Sequence, residues 1–184
     1  MFQKLLEKVA ISLDKHGITY MVIGGQAILL YGEPRLTRDV DITLGLGPDN
    51  VSEILDIAGS LGWKILVDSP EKFVTETMVL PCLEQSTGIR IDFVFSLSPY
   101  EKQALNRVKR VLIGKTHVCF ASVEDIIIHK IVAGRPRDIE DARKVLIKNQ
   151  NINTKYIRRW LEQFDKLLSQ SFLSRFKELW KATR

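Results

Sequence analysis

The sequence predicts an α+β fold, with a mixed β-sheet core flanked by helices and followed by a C-terminal helical bundle. Up to residue 121, short β-branched runs alternate with segments of helical periodicity, whereas helical periodicity dominates from Ser122 onward. The 184 residues suffice for one compact domain or for a domain with a helical appendage. We therefore expect an α+β core over residues 1–121 and a helical region packed on it over residues 122–184.

The elements of the core can be predicted in chain order. Apolar spacing predicts a helix over residues 2–15, which His16-Gly17 ends. The run ITYMVIGG predicts a buried strand, QAILLYG a short helix, and DVDITLGL a second strand. A helix is expected at GPDNVSEILDIAGSLG, since it has a Pro-Asp start and a Gly stop. Strands are expected at WKILV, FVTETMVL and IRIDFVFS, a helix at SPYEKQALNR, and a hairpin at RVLIGKTHVCFA.

Four helices are expected after residue 121. In SVEDIIIHKIVAGR, Ser122 is the expected N-cap, and Asp125 three residues later makes a variant of the capping box. The other three helices are predicted at RDIEDARKVLIKN, TKYIRRWLEQFDKLL and FLSRFKELWKAT.

Composition favours a cytoplasmic protein without a membrane partner. No apolar run approaches the length of a membrane span, and the mixed-charge N-terminal segment lacks the apolar stretch of a signal peptide. Cys82 and Cys119 lie in or beside apolar runs and are expected to be buried free thiols rather than a disulfide framework.

The positive charge is concentrated in the C-terminal region. Residues 122–184 contain 14 Lys/Arg and 8 Asp/Glu, a net charge of +6, whereas residues 1–121 contain 13 and 14, a net of −1. This asymmetry predicts that the basic region binds tRNA or other RNA, with Tyr156, Trp160 and Trp180 available to stack on bases. The alternatives are a basic surface that serves solubility alone and, for Trp160 above all, helix packing.

Two acidic residues stand at the start of the second predicted strand. Asp39 and Asp41 share one face of that strand, because side chains alternate with a period of two. Two neighbouring carboxylates repel each other unless a cation lies between them, and such an oxygen-rich pair suits Mg²⁺. For an isolated D-x-D pattern, however, a solvated strand start with two incidental acids is the more common explanation.

A third aspartate strengthens the case for a cation site. Asp92 interrupts IRIDFVFS, where Asp is disfavoured, so it meets either solvent or a charged partner. If this strand lies beside that of Asp39 and Asp41, three carboxylates converge on one patch. The alternative is that Asp92 forms an ion pair with Arg90, which is on the same face.

A double glycine precedes the aspartates. Gly24 and Gly25 follow a strand directly and open a short helix, so the backbone there can approach a ligand and its free N–H groups favour an anion. Arg35 and Arg38, in the next loop, either neutralise phosphate or are simply solvated. Taken alone, the glycines are equally compatible with a tight turn.

The pattern GGQA…TRDVDI, followed by a later strand aspartate, resembles the nucleotidyltransferase superfamily of the DNA polymerase β type. The resemblance implies a nucleotidyltransferase-like sheet core and the transfer of an NMP from an NTP to an acceptor hydroxyl on tRNA, another RNA, a protein or a small molecule. It also implies that Asp39, Asp41 and Asp92 are catalytic ligands of two Mg²⁺ (or Mn²⁺) ions, that Gly24 and Gly25 line the triphosphate, and that Asp92 doubles as the base.

Over residues 18–146 the chain also resembles the AbiEii-like, toxin-type branch, through the helix that ends at Lys130 and RPRDIEDA at 135–142. This resemblance implies that Lys130 contacts the nucleotide phosphates and that Arg135 and Asp138 belong to the nucleotide site; it also raises a cognate antitoxin as a partner. Lys130 lies within the apolar arc of its predicted helix, so the alternative to a phosphate contact is that it snorkels to solvent. Asp138 and Asp141 are expected either to orient Lys130 or Arg135 or, with Asp138 as the N-cap, to cap the next helix.

Two other interpretations compete with an enzyme. One is a catalytically silent, antitoxin-like module that binds nucleotide or RNA on the same fold. The other is a structural protein with coincidental acids. The presence of all three carboxylates and both glycines favours the enzyme.

Overall fold

The computed structural model describes residues 1–34, 36–96 and 98–184. Its helices are α1 (Phe2–Lys15), α2 (Gly24–Tyr31), α3 (Val51–Ser60), α4 (Pro70–Thr77), α5 (Pro99–Leu105), α6 (Val123–Ala133), α7 (Pro136–Lys148), α8 (Thr154–Leu168) and α9 (Phe172–Ala182). Its strands are β1 (Tyr20–Ile23), β2 (Asp39–Leu44), β3 (Lys64–Ile65), β4 (Val79–Glu84), β5 (Ile89–Phe95), β6 (Lys109–Ile113) and β7 (Thr116–Phe120).

The strands form one mixed sheet in the order β3-β4-β5-β2-β1-β7-β6. The β2–β5 and β1–β7 pairs are parallel, and the other neighbouring strands are antiparallel. The predicted α+β fold with a central mixed sheet and flanking helices is therefore confirmed.

Two central strands, β2 and β5, have one apolar face and one polar face. Val40, Ile42, Ile91 and Phe93 are fully buried. The residues that alternate with them, Asp39 and Asp41 on β2 and Asp92 on β5, are half-buried. The alternation with a period of two thus fixes both the core and the position of the aspartates.

Contacts between residues group the chain into two compact units. The first unit comprises Met1–Gln26 and Leu36–Ala121, and the second comprises Ala27–Arg35 and Ser122–Arg184. The predicted division into a core over 1–121 and a helical region over 122–184 stays a prediction.

The segment FVTETMVL is not the strand that its β-branched composition predicts. Pro70 opens helix α4, which continues to Thr77 and ends at Met78 in the left-handed conformation with φ 61°. The strand begins only at Val79 and includes Pro81. Pro81 is tolerated because its carbonyl accepts a hydrogen bond from the Leu66 N–H (3.0 Å) on the β3 side, so the missing N–H removes no bond to β5.

The C-terminal half follows the prediction more closely. Helices α6–α9 coincide with the four predicted helices within a few residues. The Ser122 hydroxyl caps α6 by accepting from the Asp125 N–H at 3.2 Å, as the capping-box variant predicts.

Strand β3, with two residues, is shorter than the predicted WKILV strand. Cys82 is buried, whereas Cys119 is half-buried, and both thiols are free.

Within the part of the chain that the structure describes, no helix combines the length and the apolar character that crossing a bilayer requires.

Candidate active site

The three aspartates lie on neighbouring strands. Strand β2 runs parallel to β5, with Asp41 opposite Asp92 and Asp39 opposite Arg90. Residues opposite each other in a parallel pair point to the same side of the sheet, and neighbouring strands lie about 4.8 Å apart. The condition that the sequence left open is therefore met, because the strand of Asp92 is beside that of Asp39 and Asp41.

Asp92 also has the partner that the alternative interpretation named. The Arg90 Nε donates to Asp92 Oδ1 at 2.7 Å, and the Asp92 side chain is only 17% exposed. Among the described residues, no group of three or more His, Cys, Asp or Glu side chains is arranged to hold a metal ion. Asp92 thus lies in register with Asp41 but is engaged by Arg90.

The donor set nevertheless fits a divalent cation that binds together with a nucleotide. Mg²⁺ in phosphate-transfer sites is commonly held by one or two carboxylates, with substrate phosphates and water as its other ligands. Asp39 and Asp41 supply two such carboxylates on one strand face. Asp92 would become a third ligand if its carboxylate exchanged Arg90 for the cation.

Gly24 is in direct contact with the carboxylate of Asp41. It has φ +62°, and a Cβ built on it would lie 1.9 Å from Asp41 Oδ2 and 2.8 Å from Asp41 Cγ. The proximity follows from the register, because Ile23, the last residue of β1, is opposite Asp41. Only glycine satisfies both the left-handed backbone and the close approach of the carboxylate. The double glycine and the D-x-D pair are therefore one local structure, and both glycines belong to the first turn of α2.

A buried hydrogen bond that the sequence did not reveal joins the glycine turn to the loop before the aspartates. Gln26 Nε2 donates to Thr37 Oγ1 at 2.7 Å, and both residues are buried. Leu36, the apolar neighbour of Thr37, is 78% exposed. Here the polar residue is buried and its apolar neighbour is exposed, so the periodicity of apolar residues could not have identified Thr37 as part of the site. Arg38 is exposed, and Arg35 lies outside the described residues.

In the second unit, Lys130 lies in a buried cluster of charges. Its Nζ is 2.7 Å from Asp138 Oδ1 and 3.1 Å from Asp141 Oδ2, and its side chain is 8% exposed. Lys130 therefore does not snorkel, and the anions that it meets are these two carboxylates. Its predicted contact with nucleotide phosphates stays a prediction.

Arg135 completes the cluster, with Nε 2.5 Å from Asp138 Oδ2. Burial raises the pKa of Asp138, but hydrogen bonds from Arg135 and Lys130 outweigh it, so the pKa is lowered from its usual value. The capping role considered for Asp138 is wrong, because α7 begins at Pro136, with Arg135 as its N-cap. The side chains of Lys130, Arg135, Asp138 and Asp141 instead hold α6 and α7 together.

Comparison with known proteins decides the family. Residues 2–178 match the family described as nucleotidyl transferase of unknown function (DUF2204). The chain belongs to this family. The predicted nucleotidyltransferase superfamily is thereby confirmed, while the AbiEii-like branch stays a prediction. No curated protein matches this family member in sequence.

Several solved structures have a similar fold. ANT(2")-Ia in complex with adenylyl-2"-tobramycin has a TM-score of 0.59 and 17% identity, covering 95% of this chain and 98% of that one. An antigenic nucleotidyltransferase-like protein from Paracoccidioides brasiliensis has a TM-score of 0.56 and 20% identity, with 94% and 92% covered. The lincosamide antibiotic adenylyltransferase LnuA, lincomycin-bound, has a TM-score of 0.50 and 14% identity, with 72% and 89% covered. At such identities the similarity concerns the fold.

Proposed function

We propose that this nucleotidyltransferase moves an NMP from an NTP to an acceptor hydroxyl in a reaction that depends on a divalent cation. One observation carries the proposal: the carboxylate of Asp41 packs against the backbone of Gly24, at the position that a Cβ would fill. This contact supports the proposal, because it brings the helix start that we propose for the triphosphate beside a carboxylate that we propose as a cation ligand.

The proposed reaction is a displacement at the α-phosphorus of the NTP. The acceptor oxygen forms a bond to this phosphorus, the bond to the bridging oxygen of the β-phosphate breaks, and pyrophosphate leaves. The acceptor proton passes to a carboxylate, for which we propose Asp92. When bound, two Mg²⁺ (or Mn²⁺) ions would neutralise the charge that develops during the transfer. Asp39 and Asp41 would bind them, and Asp92 would become a further ligand once its carboxylate leaves Arg90.

The remaining predicted residues would act on the nucleotide phosphates. The backbone N–H groups of Gly24 and Gly25, at the start of α2, favour an anion. The exposed Arg38 precedes Asp39 directly and adds positive charge. In the second unit, the Arg135 side chain is 76% exposed, whereas Lys130 is balanced by buried carboxylates. We therefore assign the phosphate contact of that cluster to Arg135, with Lys130 and Asp138 as positioning residues.

A labelled-nucleotide assay tests this proposal. The protein would be incubated with each α-³²P-labelled NTP and Mg²⁺, and with total tRNA, a protein mixture, an aminoglycoside or a lincosamide as acceptor. The drugs enter the panel because two proteins with a similar fold act on or bind them. We expect label in one acceptor class, and none in the absence of Mg²⁺ or with Asp41→Asn. If the wild type transfers no label and binds no NTP, it is not an enzyme of this kind; if it binds NTP without transfer, it is the silent module.

We further propose a cytoplasmic, toxin-type role, which rests on the sequence motifs of the AbiEii-like branch. Induced expression should then arrest bacterial growth, and Asp41→Asn, which removes a ligand charge at constant size, should relieve the arrest at equal protein levels. Equal growth with the wild type and the variant would contradict the toxin role without contradicting the transfer reaction.

A further inference from the structure

The surface of the C-terminal region is more positive than its composition indicates, because half of its acids are buried. Of the 8 Asp/Glu in residues 122–184, Glu124, Asp125, Asp138 and Asp141 are buried. Asp125 accepts from the Tyr156 hydroxyl at 2.7 Å, and Glu124 accepts from the Asn153 N–H at 2.8 Å. These acids hold helices together and are not exposed on the surface, where they would repel a phosphate directly.

The exposed charges are correspondingly one-sided. The exposed acids of this region are Glu140, Glu162 and Glu178. The exposed bases are Arg135, Arg137, Arg143, Lys148, Lys155, Arg158, Arg159, Lys166, Lys177, Lys181 and Arg184. The surface of this region thus has eleven exposed basic residues and three exposed acidic ones, whereas the region as a whole has 14 basic and 8 acidic residues.

Five of these exposed basic residues lie at one end of the hairpin that α8 and α9 form. At the turn, Asp165 on α8 accepts from the N–H groups of Phe172 and Leu173 at the start of α9. At the far end, Arg184 Nη2 donates to the Gln150 carbonyl at 3.2 Å, which brings the end of α9 to the start of α8. We call this far end the basic hairpin end; its residues are Lys155, Arg158, Arg159, Lys181 and Arg184.

Aromatic rings hold two of these arginines in place. The Arg159 guanidinium lies 5.3 Å from the Trp160 ring centroid, and that of Arg184 lies 4.0 Å from the Trp180 ring centroid. Tyr156 and Trp160 are buried, so they cannot offer a face to a base, and the stacking role predicted for them is wrong. Trp180 is half-buried beneath Arg184, so its predicted stacking stays a prediction. The exposed charges at this end favour recognition of phosphate.

We propose that the basic hairpin end binds the phosphate backbone of nucleic acid, independently of the transfer reaction. Clustered Lys and Arg side chains bind a polyphosphate backbone by displacing its condensed counterions. An anionic membrane is the less suitable partner, because an interfacial helix needs an exposed apolar face. Ile157 and Leu161 on α8 are fully buried, and the exposed leucines of this helix, Leu167 and Leu168, lie at its opposite end, beside the turn before α9.

The test is a salt titration of binding to labelled probes: a tRNA transcript, a single-stranded RNA and a DNA of the same sequence. The test variant is Lys155→Gln/Arg158→Gln/Lys181→Gln, and the matched control is Lys4→Gln/Lys64→Gln/Lys102→Gln, which removes three exposed charges from the first unit. For single-stranded RNA, the test variant should lower the magnitude of the slope of log K against log [salt] by about 2. It should also weaken binding at about 50 mM salt by about tenfold or more, while the control binds like the wild type.

Several results would overturn the proposal: no binding of any probe at low salt, unchanged binding by the hairpin variant, an equal loss in the control, or tighter binding to phosphatidylserine vesicles than to RNA. Tighter binding of the RNA probes than of DNA identifies RNA as the source of the phosphate. Asp41→Asn should bind the probes normally. Binding without transfer therefore refutes the transferase alone, and transfer without binding refutes this inference alone.

Discussion

Replacing Gly24 by alanine should disturb the contact between Gly24 and the Asp41 carboxylate, on which the proposed site depends. The substitution imposes two separate costs. An alanine with φ near +62° costs about 1–2 kcal/mol of backbone strain. The new Cβ, 1.9 Å from Asp41 Oδ2, also forces that side chain off its rotamer, at a further cost of about 0.5–1.5 kcal/mol. Each kcal/mol should lower the melting temperature by about 2–4 °C in a protein of this size.

A second glycine separates these two costs. Gly62 has φ +68°, but a Cβ on it would have no atom within 4 Å. Gly62→Ala should therefore show the backbone strain alone and retain Mg²⁺-dependent transfer. An Asp41→Ala background removes the two nearest contacts and leaves the Cβ of residue 41 at 3.2 Å, so Gly24→Ala should then cost much less than in the wild type and only somewhat more than Gly62→Ala. Denaturant unfolding measures all four variants.

Two results would refute this reasoning. One is an equal stability cost of Gly24→Ala with and without the Asp41 carboxylate, since the clash would then be absent. The other is full transfer activity in Gly24→Ala, since a displaced Asp41 carboxylate could not then be a ligand.

Three further predictions concern buried polar groups. Thr37→Val should lower the free energy of unfolding by about 1–3 kcal/mol, because the buried Gln26 amide loses its hydrogen-bond acceptor. Thr37→Ser should retain both stability and kcat. Urea unfolding and enzyme kinetics compare the two variants. Lys130→Met should lower the free energy of unfolding by about 3–5 kcal/mol, since two buried carboxylates lose their ammonium partner, and neutralising both as Asn should recover part of the loss. Hydrogen bonds, chiefly from Thr87, lower the pKa of Glu84 from 4.5 to about 2. The ionised Glu84 therefore stabilises the fold fully above its unfolded-state pKa, and this stabilisation is lost as the pH falls from 4.5 through 2. Glu84→Gln should flatten that part of the curve of unfolding free energy against pH.

Local patterns predicted the parts of this fold that local chemistry determines. Strand alternation placed Asp39 and Asp41 on one face, and the hydroxyl of Ser122 identified the start of α6. The composition around Phe73 and Val74 predicts a strand, yet the helix start at Pro70 and the left-handed C-cap at Met78 determine a helix.

The contacts of the candidate site depend on distant pairings that spacing does not encode. The Gln26–Thr37 bond spans 11 residues, and the Gly24–Asp41 contact follows from the β1–β2 register. The Lys130 cluster is an exception, because the sequence already suggested that Asp138 and Asp141 orient Lys130. Their distances to the Lys130 ammonium depend on how α6 packs against α7.

Nucleotide-dependent stabilisation tests the central claim most directly, because it needs no knowledge of the acceptor. The melting temperature would be measured with Mg²⁺ and a non-hydrolysable analogue of each NTP, for the wild type, Asp41→Asn and the exposed control Asp68→Asn. At a ligand concentration of about 100 Kd, binding adds about 2.7 kcal/mol, which corresponds to a rise of roughly 5–10 °C. We predict this rise in the wild type and in Asp68→Asn with at least one analogue, and its loss without Mg²⁺ or in Asp41→Asn. A shift of equal size without Mg²⁺ and in Asp41→Asn, or no shift with any analogue, would contradict a cation–nucleotide site at Asp39 and Asp41.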